Sequence, residues 1–153
     1  MLVALFRIGA ERYALEGRKL VEILPAVSLR SQPGAPRGCV GLLSYRERVV
    51  PVIDLGLMML DQAAPAELST RIIVARYAPG PEGACIGLRV EGATDARDID
   101  PEGLRDPGMK SDAAPYLGAV MEIDGELVQL VEIEQLLSPA VRDALFRTDA
   151  VHG

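Results

Sequence analysis

The chain has 153 residues and no tryptophan, two phenylalanines and four tyrosines. A core must therefore be built from Val, Ile, Leu and Ala. The single histidine, His152, stands one residue from the end. No His-x-x-His or Cys-x-x-Cys spacing occurs, so the common metal-ligand patterns are missing and no cofactor or metal is expected. The two lysines, Lys19 and Lys110, fall in predicted turns or loops. A serine or cysteine nucleophile would thus lack a base. No Gly-x-Ser-x-Gly elbow, phosphate loop or Gly-x-Gly-x-x-Gly is present. The acidic stretch Asp95, Asp98, Asp100, Glu102 and Asp106 is mixed with Arg97 and Arg105, and Asp98-Ile99-Asp100 is too sparse for a calcium loop. It reads as a solvated loop. No catalytic constellation emerges, and the expectation is a protein that is not an enzyme.

Other absences bear on location and partners. No apolar run approaches the ~18–20 residues that a spanning helix needs, so no direct membrane insertion is expected. Met1 leads straight into Leu2-Val3-Ala4-Leu5-Phe6 without a basic leader, and the expected location is cytoplasmic. The net charge of -6 argues against nucleic-acid binding, which wants a basic face. Cys39 and Cys85 lie far apart, and both are expected reduced and largely buried.

What is there is a large apolar fraction, 49% of residues, cut into short pieces. The length suits one domain or two small lobes sharing a core. Strands are expected over 2–8, 12–16, 21–27, 39–45, 48–53, 70–77, 84–90, 93–99, 115–123 and 126–131. Gly17 to Leu20 reads as a corner, and Pro and Gly punctuate the loops around 31–38 and 78–83. Asp124-Gly125 between apolar runs signals a type I′ hairpin. Asp54 should cap a helical turn over 55–60, and Ser138 with Pro139 should start a helix over 139–146. Residues 1–147 read as a single domain and 148–153 as a disordered tail. So many short strands argue for a barrel or sandwich.

The most informative stretch is Gly41-Leu42-Leu43-Ser44-Tyr45-Arg46-Glu47-Arg48-Val49-Val50-Pro51-Val52-Ile53-Asp54-Leu55. Two apolar runs flank Arg46-Glu47-Arg48, which reads as a hairpin turn. Pro51 lacks an N–H, so its strand should lie at an edge or carry a break. Strand alternation would put Val21 and Ile23 on one face and Leu20, Glu22 and Leu24 on the other, where they could rim a binding groove. Arg46 has two readings, a solvated turn arginine of little energetic weight or a contact residue. Arg89 interrupts an apolar strand; it either snorkels to the surface or marks a changed partner surface.

The Gly41–Leu55 stretch resembles the CheW-like domain family, the coupling proteins of bacterial chemosensory arrays. The family pattern runs glycine, two apolar residues, Asn, an apolar residue, Arg-Gly, a variable residue, then an apolar strand with Pro, ending Asp-Leu. Gly41, Arg46, Pro51, Asp54 and Leu55 match it; Ser44 (usually Asn) and Glu47 (usually Gly) depart. Tyr13 with Val21-Glu22-Ile23-Leu24, the strand Gly87-Leu88-Arg89-Val90-Glu91-Gly92, and the runs Tyr116–Val120 and Leu127–Glu132 resemble further family motifs in the right order. The likeness covers residues 2 to 137.

The resemblance implies a mainly β fold of two small SH3-like antiparallel β-barrels, side by side, with a shared hydrophobic seam and short C-terminal helices. It implies an adaptor joining a methyl-accepting chemotaxis-type receptor to a CheA-like histidine kinase. Its matching arginine and early glutamate suggest a pair, here Arg46 with Glu22. The partner-binding residues expected are Arg46, Glu22, Leu20, Gly41, Ser44 and Glu47. The departures at Ser44, Glu47 and Arg89 suggest a specialised, surface-sensing pathway rather than a flagellar one. The alternative is a small β-barrel that binds a ligand or serves as an enzyme subunit, which predicts a deep pocket with converging polar groups.

Overall fold

The computed structural model describes residues 1–65 and 68–146, of which residues 94 and 95 are described by their backbone alone. The expected tail over 148–153, with His152, lies outside the described residues. The elements are β1 (Leu2–Ile8), β2 (Glu11–Glu16), β3 (Leu20–Pro25), β4 (Cys39–Tyr45), β5 (Arg48–Asp54), α1 (Leu55–Leu60), β6 (Thr70–Arg76), β7 (Cys85–Asp98), β8 (Leu117–Ile123), β9 (Glu126–Val131) and α2 (Pro139–Leu145). The corner at Gly17–Lys19 is one turn of 3-10 helix. A further 3-10 turn over Ile133–Gln135 precedes α2.

Two small barrels arise from one continuous path of pairing. The first runs β3-β6-β7-β5-β4 and the second β7-β1-β2-β9-β8. β7 belongs to both. It pairs with β6 from Cys85 to Glu91, and with β1 from Glu91 to Asp98. The sequence suggested two strands separated at Glu91-Gly92. The chain instead keeps one strand and bends it: Gly92 has φ +61, and the β1 ladder skips register between Leu5 and Arg7. A glycine bulge of this kind turns a strand without ending it.

Neither barrel is closed by a full ladder. In the first, Arg30 and Leu42 exchange two backbone bonds of 2.9 and 2.8 Å. In the second, Arg105 and Val120 exchange two of 2.9 Å. Most ladders are antiparallel, as expected, but each barrel contains one parallel pair, β5 with β7 and β2 with β9. Pro51 is therefore not on an edge strand. Leu42 spends its N–H and C=O on Arg30, so Leu42 and Pro51 meet as a non-hydrogen-bonded pair. The ladder from β5 to β7 starts only at Val52, and no donor is missed at Pro51.

Period-two alternation sends successive side chains to different cores. In β1, Val3 and Leu5 fill the second barrel while Phe6 and Ile8 enter the seam. In β5 and β6, Val50, Val52, Ile72 and Val74 fill the first barrel, and Ile53, Ile73 and Ala75 face the seam. The seam also takes Ile86, Leu88, Val90, Tyr116 and Ile133 and is the largest of the three clusters. At ~1.5–3 kcal/mol for each large side chain buried, the contact between barrels is a main source of stability. α2 lies against it, with Phe146 stacked on Tyr77 at 5.4 Å between ring centroids.

The expected face sharing in β3 does not hold. The ladder with β6 slips between Leu20 and Glu22, so an extra residue enters there. Val21 and Leu24 pack on the interior of the first barrel, while Leu20 and Ile23 pack on the seam. A bulge resets alternation, and this one sits at the point where the reading assumed an unbroken strand. Cys39 and Cys85 are free and half-buried rather than largely buried, each beside a different apolar cluster. No helix among the described residues is long and apolar enough to cross a membrane.

Candidate functional site

The hairpin between β4 and β5 turns on Arg46 and Glu47, with φ of +47 and +66. Two positive φ values mark the type I′ arrangement that matches strand twist. Glycine tolerates it best, and the departure at Glu47 places a side chain where the resembled family usually has Gly. Ser44 is exposed and lies opposite Val49, which is 69% exposed. Arg48 donates to the Gly83 carbonyl and ties this hairpin to the turn between β6 and β7.

Arg46 and Glu22 do meet. Arg46 Nη2 donates to Glu22 Oε1 at 3.1 Å, with the arginine side chain 72% exposed. The sequence reading missed a third member, Tyr45. Its hydroxyl donates to the same Glu22 oxygen, and the Arg46 guanidinium lies 5.1 Å from the centre of its ring. That bond to the carboxylate, before all else, holds the Tyr45 phenol above the usual tyrosine range, with partial burial second. At neutral pH the hydroxyl is therefore a firm donor. A tyrosine directly before the turn arginine was the available signal.

These contacts also close the first barrel. β3 and β4 end its strand path and share no ladder. The Arg30–Leu42 bridge ties β4 to the segment that follows β3, and Tyr45 and Arg46 on Glu22 tie the β4 hairpin to β3 itself. Of the other expected site residues, Gly41 is buried with φ +150. A Cβ there would come within 2.8 Å of the Arg30 carbonyl and of Leu29, so Gly41 admits the closing segment. Leu20 is half-buried toward the seam, away from Glu22. Ser44 and Glu47 are both exposed on the hairpin.

Arg89 neither snorkels to solvent nor offers itself to a partner. Its Nε donates to Asp54 Oδ2 at 2.7 Å, and Asp54 is 0% exposed. The same carboxylate accepts the Leu57 N–H at 3.0 Å, as the expected helix cap, and the Ala64 N–H at 2.9 Å. The arginine thus neutralises a buried capping acid, and its departure from an apolar family position is structural.

Among the described residues, no three His, Cys, Asp or Glu side chains come together in a way that could hold a metal ion. Two surface grooves among the described residues, one along the loop at 104–119 beside Glu132 and one lined by Met58, Tyr116, Leu136 and Pro139, are open to solvent.

Residues 2–141 match the CheW-like domain family. The chain is 26% identical over 145 residues to the chemotaxis protein CheW of Rhizobium meliloti, covering 91% of this chain and 88% of that one. It is 27% identical over 146 residues to protein FrzA of Myxococcus xanthus, covering 93% and 88%. In fold it is similar to the crystal structure of the scaffolding protein TtCheW from Thermoanaerobacter tengcongensis, with a TM-score of 0.79 at 21% identity over 92% of this chain and 89% of that one.

Proposed function

The chain belongs to the CheW-like domain family, and on that footing we propose that it is a non-catalytic adaptor coupling a methyl-accepting chemotaxis-type receptor to a CheA-like histidine kinase at the inner face of the membrane. The carrying observation is the exposed, already paired cluster of Arg46, Glu22 and Tyr45 on a short hairpin. Chemistry at such a place is recognition. An arginine fork engages a carboxylate through two bonds, and a rigid hairpin supplies a fixed direction. Membership in the family supports the partners, since relatives of this chain are chemotaxis proteins and a scaffolding protein by name.

Two surfaces divide the work. The Arg46 hairpin, with Glu22, Ser44 and Glu47, takes the receptor's helical tip, and Leu20, turned toward the seam, stays out of that face. Gly41 keeps that hairpin seated. The other surface packs barrel against barrel with the kinase's own CheW-like regulatory domain. An adaptor that holds both partners raises their effective concentration and passes conformational bias between them. With Arg89 explained by Asp54, Ser44 and Glu47 are the departures left at the docking face, and a specialised pathway would be read there.

The test is co-purification of a methyl-accepting chemotaxis-type receptor and a CheA-like kinase with wild type, Arg46→Ala and Glu22→Ala. Both variants should lose receptor capture. Arg46→Ala should melt close to wild type, because an exposed pair contributes only ~0–1 kcal/mol to the fold. Glu22→Ala should melt somewhat lower, because the Tyr45 hydroxyl also loses its acceptor. The double swap Arg46→Glu with Glu22→Arg should restore the pair but not capture. Full capture by both single variants would remove the docking role of the hairpin.

A further inference from the structure

We propose that Tyr45 is a positioning residue of this docking site, holding Glu22 and Arg46 so that the guanidinium is presented ready-aimed to a partner carboxylate. The inference rests on the docking reading above. Three contacts carry it. The ring is half-buried and packs on the interior cluster of the first barrel, with Leu43, Val50 and Val52, so its direction is set from below. Its hydroxyl donates to Glu22 Oε1, the oxygen that also accepts Arg46 Nη2 at 3.1 Å. Its ring face supports the guanidinium at 5.1 Å.

Each contact does something that the Arg46–Glu22 pair alone does not. A free arginine on a turn has several rotatable bonds, and docking would have to freeze them. A cation held over an aromatic face and on a carboxylate has already lost much of that freedom. Arg46 reaches Glu22 through Nη2, and its side chain is 72% exposed. The rest of its five-donor fork is available to a second carboxylate. Exposed Ser44 and Val49 pair across the same hairpin, one step beyond Tyr45 and Arg48. A partner of matching chemistry carries an acidic side chain next to an apolar one.

Two measurements test this, the first free of any partner. By NMR on the whole chain, Tyr45→Phe should raise the mobility of the Arg46 side chain, and Glu22→Ala should return the Tyr45 phenol toward the ordinary tyrosine range. The second is receptor and kinase capture. Tyr45→Phe should weaken capture about three- to tenfold, the scale of one ordinary hydrogen bond at a half-exposed site. Tyr45→Leu should approach Arg46→Ala. In the Glu22→Ala background, Tyr45→Phe should add nothing. Unchanged Arg46 mobility overturns the inference, and so do additive losses, which mean that Tyr45 meets the partner itself. Raised mobility with capture unaffected by any of these variants overturns the docking role and leaves Tyr45 as a holder of Arg46.

Discussion

Single side chains account for how charge is handled in this small fold. Lys19 and Asp54 are buried, and each has an opposite charge within 2.7 Å, Glu134 and Arg89 respectively. Lys19 lies in the expected corner, a 3-10 turn, and is buried there with its ammonium on Glu134 of the turn at Ile133–Gln135. A buried charge is tolerated when it is paired and its remaining bonds are made. Asp54 fits that rule, with two backbone N–H groups and one guanidinium on its carboxylate. Arg89→Ala strands that charge. Breaking a buried pair costs ~3–5 kcal/mol, and partial exposure of Arg89 brings the expected loss to about 2–3 kcal/mol. Arg89→Met should cost as much, since its chain fills the space but brings no charge. Urea unfolding of both variants checks this, and a loss under 1 kcal/mol would mean that solvent already screens Asp54.

At the level of elements, the β4–β5 and β8–β9 hairpin turns make opposite choices. Asp124 and Gly125 have φ of +52 and +78, and glycine takes the second place. Arg46-Glu47 has the same signs without a glycine. A non-glycine residue held left-handed costs roughly 1–2 kcal/mol. Glu47→Gly should therefore stabilise the chain, by about 0.5–1 kcal/mol, visible as a higher melting temperature. If receptor capture falls in that same variant, the Glu47 side chain is part of the docking surface.

The second turn supplies a pH test. Two hydrogen bonds from Arg97, with its positive charge, hold the Asp124 carboxyl below the usual carboxylate range. A depressed folded-state value means that the contribution is present above the unfolded value near ~4 and is lost as pH falls through the folded one. Arg97→Gln should move the Asp124 midpoint up toward ordinary aspartate in a carbon-13 titration. It should also make stability less sensitive to pH in that acid window. An unmoved midpoint would assign the depression to another cause.

For the whole molecule, the seam decides whether there are one or two folding units. Ile73, Ile86, Leu88 and Ile133 are fully buried there, and β7 runs through both barrels. Neither barrel can keep its half of β7 if the other unfolds. The expected behaviour is one cooperative transition, the same by circular dichroism and by tyrosine fluorescence. Leu88→Ala should lower stability by about 2–5 kcal/mol and keep that transition single. Two separated transitions would show barrels that fold alone.

Sequence alone determined most of the local structure. β1, β4 and β9 and helix α1 begin and end where apolar alternation, the Asp124-Gly125 turn and the Asp54 cap place them. These signals lie within a few residues of one another, and short-range sterics and hydrogen bonds suffice to set them. The Arg46–Glu22 pair was legible only through the family resemblance. Only the tertiary structure decided the rest. The bulge between Leu20 and Glu22 and the bend at Gly92 depend on which strand lies alongside, so period-two counting fails at both. Arg89 needed Asp54, 35 residues away, to explain its burial beside a strand core. Tyr45 joined the site because barrel closure sets β3 beside β4 without a ladder, leaving side chains to span the gap. Pairing across such distances is chosen by the packing of the whole chain, and no local pattern records it.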